Sequence, residues 1–433
     1  MKRKLGIGMT FTAVLSMLGA AVLYLDKKAA VEASGTQAPR FEVEPMWPKP
    51  LPNHWLMGNV IGVSVDAKDH IWVIHRAGSL ERMETYAAAN PVASECCKPA
   101  PAILEFDEDG SLLNSWGGQD GPGYVWPASN HGITVDFKGN VWIGGNGRGT
   151  VPTGPEEADN AAASARPAPA QPPGPPMLNG LPYYHDSMVL KFTQEGKFLM
   201  QIGKAGASKG SNDVENLGLP AKTFVDPKTN ELYVADGYGN KRVIVYDAET
   251  GKYKRHWGAY GNKPDDKNLG RYNPNDPVAQ QFRNPVHCAE LSSDNLLYVC
   301  DRVNDRIQVF TPEGKFIKEQ IIAKNTLGDG AVWDIAFSKD PQQKYIYLAD
   351  GSNEKIYVML RDTLEVLTSF GDGGRQPGEF YAVHSIATDS KGNIFTTETY
   401  RGQRLQKFAY KGIAPVTKKD QGVVWPKTAK SSL

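Results

Sequence analysis

Apolar and polar residues alternate along most of this chain in short runs, broken at regular intervals by clusters of Asp, Lys, Gly and Asn. Period-two alternation between such turns is the signature of antiparallel hairpins. One unit recurs: an apolar strand, a turn, a second strand ending in an acidic or amide residue, then a third apolar strand. It reads GVSVDAKDHIWVIHR at 62–76, HGITVDFKGNVWIGGN at 131–146, KTFVDPKTNELYVADGY at 222–238, HCAELSSDNLLYVCDR at 287–302, DIAFSKDPQQKYIYLADG at 334–351 and HSIATDSKGNIFTTETY at 384–400, six copies in all. The third strands are PAILEFD, SMVLKFT, RVIVYD, RIQVFT, KIYVML and RLQKFAY. Five of them lead into a fourth, outer strand such as SLLNSWG or KYKRHWG, and the sixth does not. Four-stranded sheets repeated radially make an all-β, six-bladed β-propeller. The segment FEVEPMW at 41–47 is free to supply the missing outer strand, which would lock the last blade to the chain's beginning and remove an open edge.

Length alone would suggest two or three domains, but repeats of roughly 45 residues absorb nearly all of it. The propeller therefore takes in 41–433 as one domain, and the 44 glycines and 30 prolines fit a turn-dense β fold. Lys and Arg balance Asp and Glu at 48 each, so no basic footprint for nucleic acid is present. Residues 1–33 stand apart. Lys2, Arg3 and Lys4 precede an apolar run from Leu5 to Leu25, the plan of a signal peptide or, uncleaved, of a membrane anchor through residues 5–25. Either way the propeller is expected to be exported, whether periplasmic, secreted or held at the outer face of the cytoplasmic membrane, and monomeric. A Pro/Ala-rich insertion at 147–184 is too poor in apolar residues to bury a core. It leaves from the end of an inner hairpin, so a lid over the channel mouth and a plain surface excursion are both open readings.

Aligned on the turns, the first strands place Ile61, His131, Ala221, His287, Trp333 and His384 at one register position. Histidine thus falls on alternate blades, which in a closed ring directs three imidazoles at the axis about 120° apart. Three converging imidazoles with no fourth protein ligand describe a catalytic zinc site with an open position. The competing reading is a hydrogen-bonded polar channel. The five other histidines lie outside this register.

The second strands end in HR (Arg76), GGN, DGY (Tyr238), DR (Arg302), DGS and ETY. This end lies beside the channel mouth. Arginine offers a planar fork for a carboxylate, and a tyrosine beside a divalent cation has its pKa lowered toward that of a base. The blander alternatives are a salt bridge to an acidic neighbour such as Asp301 for the arginines, and packing against the next blade for Tyr238.

Taken together, the repeats and these residues resemble the NHL-repeat propeller of the peptidyl-α-hydroxyglycine α-amidating lyase (peptidylamidoglycolate lyase) family. The contexts NHGI, NPVH and YAVH are similar to those of the family's zinc histidines, and the strings YVADGYGNKRV, VIHRAG and VCDRVNDRIQVF are similar to those of its catalytic tyrosine and two arginines. The resemblance implies His131, His287 and His384 as zinc ligands, with Tyr238, Arg76 and Arg302 as catalytic groups. It implies a carbon–nitrogen lyase that cleaves the N–Cα bond of a carbinolamide to an amide and glyoxylate, acting on a small-molecule or peptide substrate ending in an α-hydroxyglycine-like group. The family also holds a calcium ion through two backbone carbonyls and an aspartate. Val63 and Ile133 match the carbonyl donors, but Ser385 stands at the aspartate position; Asp334, at the same register one blade away, is the carboxylate on offer.

Two other readings come from different classes: a propeller hydrolase or lactonase with a channel metal, and a non-enzymatic NHL scaffold. Hydrolase sites of that type rely on carboxylate and amide ligands, against which three histidines argue. The four cysteines are left undecided. Cys288 and Cys300 lie equally far from one hairpin turn, so a cross-strand bridge and a pair of small buried thiols are both admissible, and for the adjacent Cys96 and Cys97 nothing in the sequence chooses.

Overall fold

In the computed structural model, residues 35–148, 177–178, 181–182 and 184–426 are described. The N-terminal signal or anchor and most of the 147–184 insertion lie outside them. Among the described residues no helix is long and apolar enough to cross a membrane.

The alternating runs form six four-stranded antiparallel sheets. Their first strands are Asn59–Val65, Asn130–Val135, Pro220–Val225, Val286–Leu291, Asp334–Phe337 and Val383–Thr388. Each packs against the next, and the sixth packs against the first, so the ring closes around a central channel. The protein is a six-bladed β-propeller. The last blade is completed by Gln37–Val43, which pairs antiparallel with Arg404–Pro415. The closing strand therefore begins a few residues before the expected 41–47 segment. The chain's end adds a strap not foreseen from the sequence: the Ser369 N–H donates to Lys419 O and the Gly371 N–H to Gly422 O, which covers the outer edge of the fifth blade.

Because successive side chains of a strand point to opposite faces, each blade presents two apolar surfaces. In Ile71–Arg76, Ile71 and Val73 face the sixth blade, while Trp72 and Ile74 face the second. Six buried clusters result, one in each gap between neighbouring blades. The turn aspartates fix the inner hairpins. Asp136 accepts the Lys138 and Asn140 N–H groups at 2.9 and 2.8 Å and the Trp142 indole N–H at 2.9 Å. Cys288 and Cys300 stand directly opposite each other in the fourth blade and are bridged, as are Cys96 and Cys97.

Candidate metal centre

The histidines owe their aim to an irregularity in the first strands. Pairing skips one residue in five of the six inner hairpins, and in the fourth and sixth blades the skipped residue is the histidine itself, His287 or His384. In the second blade the bulge falls at Gly132, next to His131, with φ +68°. A Cβ there would lie 2.3 Å from Ala221 O, so only glycine fits this close approach. Bulges of this kind re-aim a side chain out of the sheet's alternation, here into the channel.

The three imidazoles converge. Their ring centroids are 5.2 Å (131–287), 4.8 Å (131–384) and 4.8 Å (287–384) apart, and all three residues are buried. Burial, reinforced by the charges of Arg76 and Arg302, holds the pKa of His131 well below the ordinary imidazole value. Burial does the same for His287 and His384. All three are neutral near pH 7, the form that binds metal.

The tautomers are set from outside the triad. His131 Nδ1–H donates to Ala221 O at 2.7 Å and His287 Nδ1–H to Trp333 O at 2.5 Å, which leaves both Nε2 lone pairs facing the channel. Both Nε2 atoms lie 3.0 Å from the Tyr238 hydroxyl. That hydroxyl has one proton for two acceptors, and His384 Nδ1 is buried with no partner. Surplus lone pairs on buried imidazoles are what a bound cation would satisfy. The triad can hold a metal ion, and its all-nitrogen donor set suits zinc.

Tyr238 is held by a turn that only glycine permits. A Cβ at Gly237 would meet the backbone of Val286 at 2.0–2.1 Å, next to His287. Burial raises the Tyr238 pKa, and the guanidiniums of Arg302 and Arg76 pull against it. Arg302 donates to the Tyr238 hydroxyl at 3.2 Å and lies 4.4 Å over the Trp333 ring. It is not spent on Asp301, which pairs with Arg306 at 2.7 Å inside the fourth blade. Instead Arg302 reaches Asp329 at 3.3 Å, a loop carboxylate that also accepts from the Tyr400 hydroxyl at 3.2 Å. Burial works against the charge on Arg302, but Tyr238 and Asp329 hold its pKa above the ordinary value. Its buried Nε has no partner. Arg76 is half-buried and donates to Asn146 Oδ1 at 2.7 Å and Asn130 O at 3.2 Å.

The expected site residues His131, His287, His384, Tyr238, Arg302 and Arg76 thus stand around one point. Asp329 and Asn146 were not foreseen. Asn146 directly follows the second strand Val141–Gly145, as Tyr238 closely follows Glu231–Asp236, but Asp329 sits in a loop with no repeat register to mark it. Both roots of the insertion reach the same turn: Arg148 donates to Tyr238 O at 3.5 Å and the Tyr184 hydroxyl to Gly239 O at 3.2 Å.

The calcium expectation fares differently. Val63 and Ile133 lie on the first strands of adjacent blades. Asp334, however, is already engaged: both its oxygens accept from Lys222 Nζ at 2.8 and 2.9 Å, and Oδ2 accepts the Ile386 N–H at 3.1 Å. With an ammonium in place and Ser385 offering no charge, these residues do not fit a calcium ion. A second histidine–carboxylate cluster, Asp66, His70 and Glu105, belongs to the first blade's turn. His70 Nδ1 there bonds Glu105 at 2.8 Å and Asp66 accepts the Trp72 indole N–H at 3.1 Å, so it reads as a turn lock.

No protein-family model matches the chain. Peptidyl-glycine alpha-amidating monooxygenase B of Xenopus laevis is 25% identical over 272 residues, which is 61% of this chain and 24% of that protein. The Mus musculus enzyme is 23% identical over 267 residues, 61% of this chain and 22% of its own length. The chain is a homologue of the amidating monooxygenases. It spans about a quarter of their length. NHL repeat-containing protein 3 of Mus musculus is 23% identical over 276 residues, 60% of this chain and 58% of that protein, in keeping with the repeats seen here. Among solved structures, a streptogramin B lyase aligns with a TM-score of 0.46 at 12% identity, covering 86% of this chain and 98% of that one.

Proposed function

We propose that this protein is an exported zinc-dependent lyase that cleaves the N–Cα bond of a carbinolamide, giving an amide and glyoxylate. The observation that carries the reading is the meeting of His131 and His287 Nε2 on the Tyr238 hydroxyl, with Arg302 bonded to the same oxygen. His131, His287 and His384 would hold the zinc, which supplies Lewis acidity toward the substrate hydroxyl. The distant relationship to the amidating monooxygenases supports the same chemistry.

Tyr238 would act as the phenolate and take the hydroxyl proton, becoming the neutral phenol. Arg302 and Arg76 already oppose the effect of burial on its pKa, and a bound cation adds to their pull. The electron pair left on oxygen forms the aldehyde carbonyl as the C–N bond breaks. The departing nitrogen carries away the bonding pair and needs one proton, which the Tyr238 hydroxyl can return, so the residue ends the cycle as it began. The unpartnered Arg302 Nε, on a guanidinium pinned between Trp333 and Tyr238, suits the carboxylate of an α-hydroxyglycine-like terminus. Such a substrate is a peptide or a small molecule.

The test is the variant Tyr238→Phe, assayed for glyoxylate release from an α-hydroxyglycine-terminated compound. Turnover is expected to fall by about 10²–10⁴-fold, the usual worth of a proton-transfer group, with zinc content unchanged. Near-normal turnover in this variant would remove the assigned role. Ester hydrolysis without glyoxylate release would move the protein to the hydrolase class.

A further inference from the structure

Lys222 stands one residue past the register position of the third blade's first strand. Its side chain is 11% exposed, and its Nζ lies 2.8 Å from Glu290 on the fourth blade and 2.8 Å from Asp334 on the fifth, whose side chains are 15% and 1% exposed. Burial disfavours the charged ammonium, but Asp334 and Glu290 outweigh it and hold the pKa above the ordinary lysine value. The ion pair crosses the channel, because the third and fifth blades are not neighbours.

Its placement bears on the metal triad. Lys222 follows Ala221, whose carbonyl orients His131, and Asp334 follows Trp333, whose carbonyl orients His287. Asp334 Oδ2 accepts the N–H of Ile386, two residues past His384. Glu290 lies three residues past His287 on the same strand. One ammonium therefore ties together the strands that carry or orient all three histidines. Partners that fix the hydrogen bonds of ligating histidines govern metal affinity nearly as much as the ligands do.

We propose that the Lys222 ammonium is the channel's resident second cation, filling the role a calcium ion would otherwise have, and that it positions the three histidines for their metal. A divalent ion is not needed beside it: the two carboxylates face one fixed positive charge, and a dication placed among the same oxygens would meet that charge at contact distance. Lys222 is a positioning residue and touches no reacting atom. This role in metal binding holds whether or not the protein is a lyase.

The test measures calcium and zinc content by mass spectrometry, zinc affinity by chelator competition and Tm, on the full chain and on Lys222→Met. The wild-type protein is expected to hold no stoichiometric calcium and to keep its Tm and zinc affinity in the presence of a calcium-selective chelator. Lys222→Met is expected to bind zinc at least about tenfold more weakly, within the 10–100-fold range for residues that orient metal ligands. One calcium per wild-type chain, whose removal lowers Tm and zinc affinity, would overturn the proposal even if the variant fails to fold. So would a folded Lys222→Met protein with wild-type zinc affinity.

Discussion

The chemistry of the channel rests on imidazoles kept neutral by burial. His131, His287 and His384 all have pKa values held well below 6.5, and His75, buried with both nitrogens bonded to backbone groups, is lowered to about 4. A group whose folded pKa is depressed in this way binds its proton more readily in the unfolded chain. For a histidine the neutral fold is then fully favoured above the unfolded value near 6.5, and the advantage is lost as pH falls through the window below it. Each such imidazole removes about 1.4 kcal/mol per pH unit inside that window. The urea midpoint of metal-stripped protein should therefore drop steeply between pH 7 and pH 5. A midpoint that stayed flat over that range would mean that these imidazoles are solvated or already paired with an acid. The same burial keeps the ligands unprotonated at mildly acidic pH, so zinc retention should outlast what free imidazoles allow.

At the level of strands and turns, two backbone features aim the site: the bulges that turn His287 and His384 out of the sheet's alternation, and the Gly237 turn that sets Tyr238 against the triad. Gly237→Ala places a methyl within the backbone of Val286, and overpacking of this kind costs about 1–3 kcal/mol. The variant should melt lower and lose turnover, because relief of the clash moves Tyr238 or His287. Wild-type Tm and turnover would show that the turn has slack. The repeats made the hairpins, their order and the register of the histidines legible, because period-two alternation and turn chemistry are local. The bulges were not legible, since a skipped partner depends on how the ring closes. Asp329 was hidden for a related reason: it meets Arg302 across a loop that follows no repeat. Lys222 and Glu290 did carry a signal, a charged residue inside an apolar inner strand, as Asp334 did; what the sequence could not say was that the three charges meet.

On the scale of the whole molecule, the ring is closed by the two ends of the chain. Gln37–Val43 supplies the last blade's outer strand, and its Ala38, Phe41 and Val43 are buried in the cluster between the fifth and sixth blades. A chain starting at residue 46 would lose those side chains and leave the edge of Arg404–Pro415 unpaired. It should aggregate or melt far below the full protein, read by light scattering and calorimetry; a soluble, wild-type-like truncation would mean that the ring closes without this strand. The closure was legible in outline because a propeller with five complete blades demands a sixth outer strand, whereas the strap at 416–424 makes few strand-like patterns and was not. Closure holds three alternate blades at a fixed separation, and so brings their histidines to one point on the axis. The most direct test of that arrangement is the zinc content of the purified protein by mass spectrometry, with glyoxylate release from an α-hydroxyglycine-terminated compound measured on the same sample before and after chelation. One zinc per chain is expected, with release that chelation abolishes and zinc restores; a pure, folded protein that carries no metal and takes up none would rule out a zinc-dependent lyase.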